Sequence, residues 1–386
     1  MNADRREGRI ALLLQHLGDG GVERCFLNLA RGFADRGISA DLYVHEVSDE
    51  GLLETTPGVR LSRLRGESPA QRGAGLADLL LARNTGVVLS AKEEDCRLIS
   101  EVCRSMQKPP RSVMVASLDY TGQLRGRRAG PWQRWRRYRQ VRRLFGRADQ
   151  VFCVSEGVAR DMGRILRRPL DQLPVLPNPV VTPELDALSR APVEHPWLQA
   201  GQPPVVLGVG RLSRIKNFPL LVRAFAKARR EMEMHLMILG EGKQRAELMR
   251  LASELGVTED VELAGFQVNP YPYMRHADLF VLSSLWEGFG NVLVEALACG
   301  TAAVSTDCPS GPSQILQGGK YGALVPVDDA DALAGAIVAS LRNPPPTAFL
   351  AEAVLPYTLE HSVSAYLEAL GLAAPPVSGR NTSHQL

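Results

Sequence analysis

Short apolar runs recur along this chain with helix-like stretches between them. That alternation limits its fold more than any other feature. Six runs fall in the first half: Arg9–His16, Ala40–Val47, Val59–Leu64, Val87–Ala91, Arg111–Leu118 and Gln150–Ser155. Six follow in the second: Val205–Gly210, Met234–Gly240, Val261–Gly265, Leu279–Ser283, Ala302–Thr306 and Gly322–Pro326. Such runs suit strands covered on both faces, and strands that alternate with helices build parallel sheets. Helical patterns between them include Val22–Arg36 and Glu93–Met106. The Pro-rich stretch Pro174–Pro179 and the region through Pro203–Pro204 separate the halves. The expected fold class is α/β, with two doubly wound, Rossmann-like parallel sheets facing across a cleft. Ligands of such folds bind outside the carboxyl ends of the strands.

The expected units are a first domain over 1–184, a second over 185–355, an amphipathic helix within 356–372 and a mobile tail over 373–386. With 386 residues, each domain is large enough for its own core. The hydrophobic fraction of 45% and charged fraction of 23% are those of a globular protein. No apolar run approaches the ~18 residues of a membrane-spanning helix, and Ile10–Leu14 is too short for a signal-peptide core. Cysteines 25, 96, 103, 153, 299 and 308 lack metal-ligand spacing. Buried thiols in a reducing, cytoplasmic compartment are the expectation.

Glu287 and Glu295 bracket the segment Gly288-Phe289-Gly290-Asn291-Val292-Leu293-Val294. The strand-like run Leu279–Ser284 precedes them, and Asn291–Cys299 reads as a helix. A glycine-rich loop that opens a helix presents free N–H groups to an anion, here a diphosphate. Carboxylates on either side of it suit hydroxyl groups. A nucleotide sugar carries both.

The spacing resembles the E-x7-E signature of the retaining nucleotide-sugar glycosyltransferases of family 4, which have the two-domain GT-B fold. Other segments carry the same resemblance in order: Gly208–Asn217, Gly240-Glu241-Gly242, Ala264-Gly265-Phe266, Glu295–Gly300 and Cys308–Ser313. The resemblance implies that Arg211 and Lys216 neutralise the departing diphosphate. It implies that Glu287 binds hydroxyls of the transferred sugar and Glu295 those of the ribose. Gly240, Gly265, Gly288, Phe289, Gly290 and Asn291 would line the donor site, with Phe266 flanking the base or serving as core. It also implies that the helix within 356–372 crosses back onto the first domain.

Gly20-Gly21-Val22-Glu23-Arg24 follows the first strand. It is either a tight turn or a glycine loop facing the diphosphate or the acceptor across the cleft, and it resembles the family's G-G-x-E-R segment. Many members carry a His after the fifth strand. Here the stretch reads Ser117-Leu118-Asp119-Tyr120, which leaves Asp119 or His16 as candidates for the reacting sugar. Asp119 equally suits a turn. The second domain shows no Asp-x-Asp at a strand end, and two cations with a helix N-terminus can replace a metal. No metal or other cofactor is expected.

Charge is unevenly spread. Residues 1–184 hold 30 Lys and Arg against 22 Asp and Glu, whereas 185–386 hold 15 against 20. Arg125–Arg147 contains ten Arg and no acid, interleaved with Trp132, Trp135, Tyr138 and Phe145. A solvated face, a nucleic-acid surface and a membrane-interfacial element all fit this composition. No nucleic-acid module accompanies it. The membrane reading is preferred, with Trp132, Trp135 and Phe145 entering the headgroup layer. The sequence thus points to a peripheral enzyme on the inner face of the cytoplasmic membrane. It would transfer a hexose or N-acetylhexosamine from a nucleotide sugar, UDP-linked, to a glycolipid or lipid-linked saccharide. A nucleotide-sugar epimerase of the same fold and a non-catalytic polysaccharide- or lipid-binding module are the rival readings.

Overall fold

The computed structural model describes residues 8–18, 20–47 and 58–372. The tail expected to be mobile lies outside the described residues. Two six-stranded sheets, parallel throughout, organise the rest. The first comprises β1 (Arg9–Leu17), β2 (Ser39–Val47), β3 (Val59–Arg63), β4 (Val87–Ser90), β5 (Arg111–Ala116) and β6 (Gln150–Cys153). Its order is β3-β2-β1-β4-β5-β6. The second comprises β7 (Val205–Val209), β8 (His235–Leu239), β9 (Val261–Gly265), β10 (Leu279–Leu282), β11 (Ala302–Thr306) and β12 (Ala323–Val325). Read from the other edge, its order β9-β8-β7-β10-β11-β12 is the same topology. Each sheet is therefore doubly wound, as the sequence predicts, with its switch point beside the first strand.

The apolar runs become strands because both faces are covered. Along β1, Ile10, Leu12 and Leu14 join one core while Ala11 and Leu13 join the core on the opposite face. In β10, Phe280 and Leu282 point one way, and Leu279 and Val281 the other. The core holding Ile10 also holds Phe280, so one apolar body runs through both domains. Several strands stop one or two residues before their apolar run does. β5 ends at Ala116, because Asp119 caps the next helix, Tyr120–Gly126, by accepting a hydrogen bond from the Gly122 N–H at 2.8 Å.

The chain crosses between domains twice, and the crossings lie side by side. The N–H groups of Val180 and Val181 both donate to the Tyr357 carbonyl at 3.0 Å. The Leu359 N–H donates to the Val181 carbonyl at 2.9 Å. The Leu359–Ala369 helix then lies on the first domain. Tyr366 meets Phe152 edge-on at 5.9 Å, and Val363 covers Gly32 of the Gly21–Asp35 helix. A Cβ at Gly32 would stand 2.2 Å from Val363 Cγ2. Gly32→Val should therefore overpack this seam and lower stability by about 1–3 kcal/mol. Urea titration measures it, and a Val363→Ala background should recover part of the loss.

Candidate active site

The carboxyl ends of β7 and β10 bring Lys216 and Glu287 together. Lys216 Nζ lies 2.7 Å from Glu287 Oε1, and the Ser284 hydroxyl donates to the same oxygen at 2.6 Å. Both side chains are mostly buried. Two backbone contacts hold the loops in register: the Leu285 N–H donates to the Ile215 carbonyl, and the Ser283 hydroxyl to the Lys216 carbonyl, both at 2.8 Å. Sequence alone assigns these two residues separate roles, whereas the structure pairs them. Arg211, from the same β7 loop, is exposed, and among the described residues no hydrogen bond or ion pair holds it. Gly240 packs against β7's end: a Cβ there would lie 2.0 Å from the Gly210 carbonyl oxygen. Its N–H donates to the Gly265 carbonyl at 2.7 Å. Phe266 follows Gly265 and is 55% exposed, so it is not core.

The loop after Glu287 is held by the other domain. A Cβ on Gly288 would come within 1.9 Å of the Ser117 carbonyl oxygen, so only glycine fits. The Ser155 hydroxyl donates to the Gly288 carbonyl at 2.8 Å. Gly290 takes φ 103° to open the Asn291–Ala298 helix. Asn291 then links three segments. Its amide donates to the Gly21 carbonyl at 3.3 Å, and its oxygen accepts from Asn178 Nδ2 at 2.9 Å. Phe289 is a packing residue, buried and edge-on to Tyr357 at 5.0 Å.

Glu295 sits one turn inside the helix and is 5% exposed. Across the cleft, Arg24 of the Gly21–Asp35 helix approaches it at 3.6 Å and donates to the Tyr271 hydroxyl at 2.6 Å. Glu295 Oε2 is buried with no hydrogen-bond partner. Burial pushes the Glu295 carboxyl above the usual glutamate range, against the pull of Arg24 and Lys216. Gly20 caps the Gly21–Asp35 helix with ordinary extended backbone, and Gly21 faces Asn291. The glycine segment therefore meets the start of the Asn291–Ala298 helix directly.

The two candidates for the reacting sugar are both engaged. His16 Nδ1 lies 2.9 Å from Glu46 on the neighbouring strand. Asp119 is buried as the helix cap described above, and burial raises its carboxyl. The turn-forming alternative is the one observed. Sequence reasoning missed Ser117, Ser155, Asn178, Tyr271 and Ser284, which are residues of ordinary type with no motif to mark them.

The basic segment divides at 127–130 into two helices, and Pro131 starts the second, Pro131–Phe145. Its inner face packs Val141, Leu144 and Phe145 into the core. Phe145 is fully buried beside Tyr120, which corrects its expected place at a membrane. Arg137 is bound to Glu93, and Arg142 donates to the Ile165 carbonyl at 2.6 Å. The outer stripe is Trp132, Trp135, Arg136, Arg139 and Arg143, all exposed. Arg136 lies over Trp132 and Arg139 over Trp135.

Two doubly wound domains facing across a cleft, with a Lys–Glu pair at the carboxyl ends of the second sheet, have the GT-B architecture of glycosyltransferases. Residues 19–183 match the Glycosyltransferase Family 4 profile and residues 203–343 the Glycosyl transferases group 1 profile. The chain is a glycosyltransferase of this group 1 and family 4 type. It is 35% identical to the N-acetylgalactosamine-N,N'-diacetylbacillosaminyl-diphospho-undecaprenol 4-alpha-N-acetylgalactosaminyltransferase of Campylobacter jejuni. That match takes in 49% of this chain and 50% of the relative. It is 28% identical to the lipopolysaccharide core biosynthesis glycosyltransferase LpsE of Rhizobium meliloti, over 83% of this chain and 86% of LpsE. Anabaena HepE, solved in complex with UDP and glucose, superposes with a TM-score of 0.74 at 19% identity. That superposition covers 94% of this chain and 99% of HepE.

The burial of Glu295 has a pH signature. A carboxyl whose folded pKa is raised supports the fold below its unfolded pKa of ~4.3 and loses that support as pH rises through the folded value. Glu295→Gln removes the buried charge. In the absence of ligand it should melt above wild type at pH 7–8, and the gap should close as pH falls towards 4.5. Thermal melts across that range measure it.

Proposed function

We propose that this enzyme moves a hexose or N-acetylhexosamine from a UDP-sugar, with retention, to a glycolipid or lipid-linked saccharide. The observation that carries the reading is the buried Lys216–Glu287–Ser284 cluster, with exposed Arg211 on the same loop after β7 as Lys216 and the Asn291–Ala298 helix start following Glu287. Lys216, Arg211 and the helix N–H groups would meet the diphosphate, lowering the barrier as charge builds on it. Glu287 would accept from sugar hydroxyls. Glu295, whose Oε2 is unsatisfied, would accept from the ribose. HepE's complexes with UDP and UDP-glucose support the donor class. The names of the C. jejuni and R. meliloti relatives support the acceptor class.

The site's carboxylates argue for a front-face route. Glu287 is held by Lys216 and Ser284 and Asp119 by its helix cap, while Glu295 is buried and assigned to the ribose in this reading. None stands open as a nucleophile for a covalent glycosyl-enzyme. The acceptor oxygen would bond to the anomeric carbon on the face the phosphate leaves. The anomeric carbon–oxygen bond to phosphate breaks, and the acceptor proton passes to the departing phosphate oxygen.

Calorimetry with UDP and with UDP-glucose, UDP-galactose, UDP-GlcNAc and UDP-GalNAc tests the donor reading. Wild type should bind UDP and at least one of the four sugars in excess EDTA. Glu295→Ala should weaken UDP itself, whereas Glu287→Ala should weaken the sugar nucleotide more than UDP. Lys216→Ala should lower turnover by about two to three orders of magnitude. Equal losses for both ligands in both Glu variants would mean the roles are misassigned. An epimer formed from a sugar nucleotide alone would favour the epimerase reading.

The outer stripe of the Pro131–Phe145 helix supports attachment to an anionic bilayer, with Trp132 and Trp135 at headgroup level. Each basic residue near such a surface is worth about 1 kcal/mol. Replacing Arg136, Arg139 and Arg143 by Gln should cut partitioning onto anionic vesicles by about two orders of magnitude. Arg137 is left in place because it binds Glu93. Equal sedimentation of variant and wild type at low salt would remove the membrane role.

A further inference from the structure

Trp286 belongs in sequence to the second domain (the donor domain of the proposed reaction), but its ring is buried against the first (the acceptor domain). It lies directly before Glu287 and is 8% exposed. The Tyr120–Gly126 helix receives it through two glycines one turn apart. A Cβ at Gly122 would lie 3.2 Å from Trp286 Cβ. A Cβ at Gly126 would lie 2.1 Å from its Cζ3 and 2.2 Å from its Cη2. Glycine costs a helix about 1 kcal/mol relative to alanine, so two in seven residues require a cause. Gly122 has a second one, because a Cβ there would also strike the Asp119 cap at 2.4 Å. Gly126 does not. Its φ is not in the left-handed region, so no backbone demand calls for glycine. The indole fills the space a side chain would take.

The same loop is held again two residues on, where Gly288 meets the Ser117 carbonyl and accepts from Ser155. Glu287 lies between these two anchors and turns back to Lys216 and Ser284. The acceptor domain therefore grips the residue on either side of it. We propose that Trp286 is a positioning residue, and that its seat on Gly122 and Gly126 is how docking of the acceptor domain sets Glu287 against the donor sugar. This rests on the donor reading of Glu287 given above. Nucleotide binding draws on Glu295 and does not need the seat. Sugar recognition and bond cleavage do. The enzyme thereby completes its sugar site only when the two domains are docked.

The test uses the full chain with Gly126→Val, Trp286→Ala, Trp286→Phe and the Gly126→Val/Trp286→Ala double variant. UDP affinity, affinity for whichever of the four UDP-sugars wild type binds tightest, and the rate of UDP release from that sugar nucleotide are measured. Gly126→Val and Trp286→Ala should keep UDP affinity within about threefold. Both should lose the preference for sugar nucleotide over UDP, and both should release UDP about 10- to 100-fold more slowly, the scale of a 1 Å misplacement. Trp286→Phe should retain most of the rate. The double variant should be no worse than the worse single, because both act through one contact. If Gly126→Val does not fold, Gly126→Ala replaces it, since one methyl already meets the ring. Unchanged discrimination and rate in folded variants would overturn the proposal. So would equal loss of UDP and UDP-sugar affinity, the mark of a merely structural contact. A wild type that binds none of the sugar nucleotides would overturn the donor reading and this inference together.

Discussion

The segment from Trp286 to Asn291 is encoded in one domain and gripped by the other. Trp286 rests on Gly122 and Gly126, Gly288 on Ser117 and Ser155, and Asn291 on Gly21 and Asn178. Three of these six first-domain partners, Gly21, Ser117 and Ser155, follow the carboxyl ends of strands β1, β5 and β6. The doubly wound topology puts those ends on the cleft side, so the grip follows from the fold. Two parallel crossings, 180–181 against 357–359, fix how the sheets face one another. Without that registration the Lys216–Glu287 pair would have its charges but not its place.

Much of the architecture was legible because parallel strands buried on both faces leave continuous apolar runs. Ile10 to Leu14 and Leu279 to Leu282 read as strands for that reason, and they are strands. The ends were less legible. Whether Ser117 continues β5 depends on Asp119 finding the Gly122 N–H, which is a contact of the folded helix. The site was legible as a set of residues and not as a set of pairs. Lys216 and Glu287 are 71 positions apart, and Arg24 and Glu295 lie much further apart still. Only tertiary structure decides which cation faces which carboxylate. Phe145 shows why: an aromatic among arginines looks functional in sequence, yet helix phase turns it into the core.

The Pro131–Phe145 helix shows the same division. Of its arginines, Arg137 and Arg142 are engaged by Glu93 and the Ile165 carbonyl, so composition overstates the charge offered outward. What remains is a narrow stripe where two Trp rings alternate with Arg groups stacked over them. Stacking spares each guanidinium part of the cost of losing water near an apolar ring. A stripe so built can take both the charged and the greasy side of an interface, which a plain polyarginine face cannot.

Glu295 brings the energetic logic of the cleft to one atom. A buried carboxylate with one oxygen unpaired is a standing cost, of a size comparable to a lost charged hydrogen bond. Arg24 offsets that cost from across the cleft at 3.6 Å, longer than a good ion-pair hydrogen bond, and spends its better contact on Tyr271. The arrangement holds the domains together without satisfying the carboxylate. A ligand that brings a hydroxyl donor to Oε2 gains the full value of satisfying it, because no existing bond there has to be broken. In the proposed reading, affinity for the ribose diol would come from a group the unliganded fold leaves unsatisfied. The same deficit keeps the ligand-free protein less stable than its packing alone would allow.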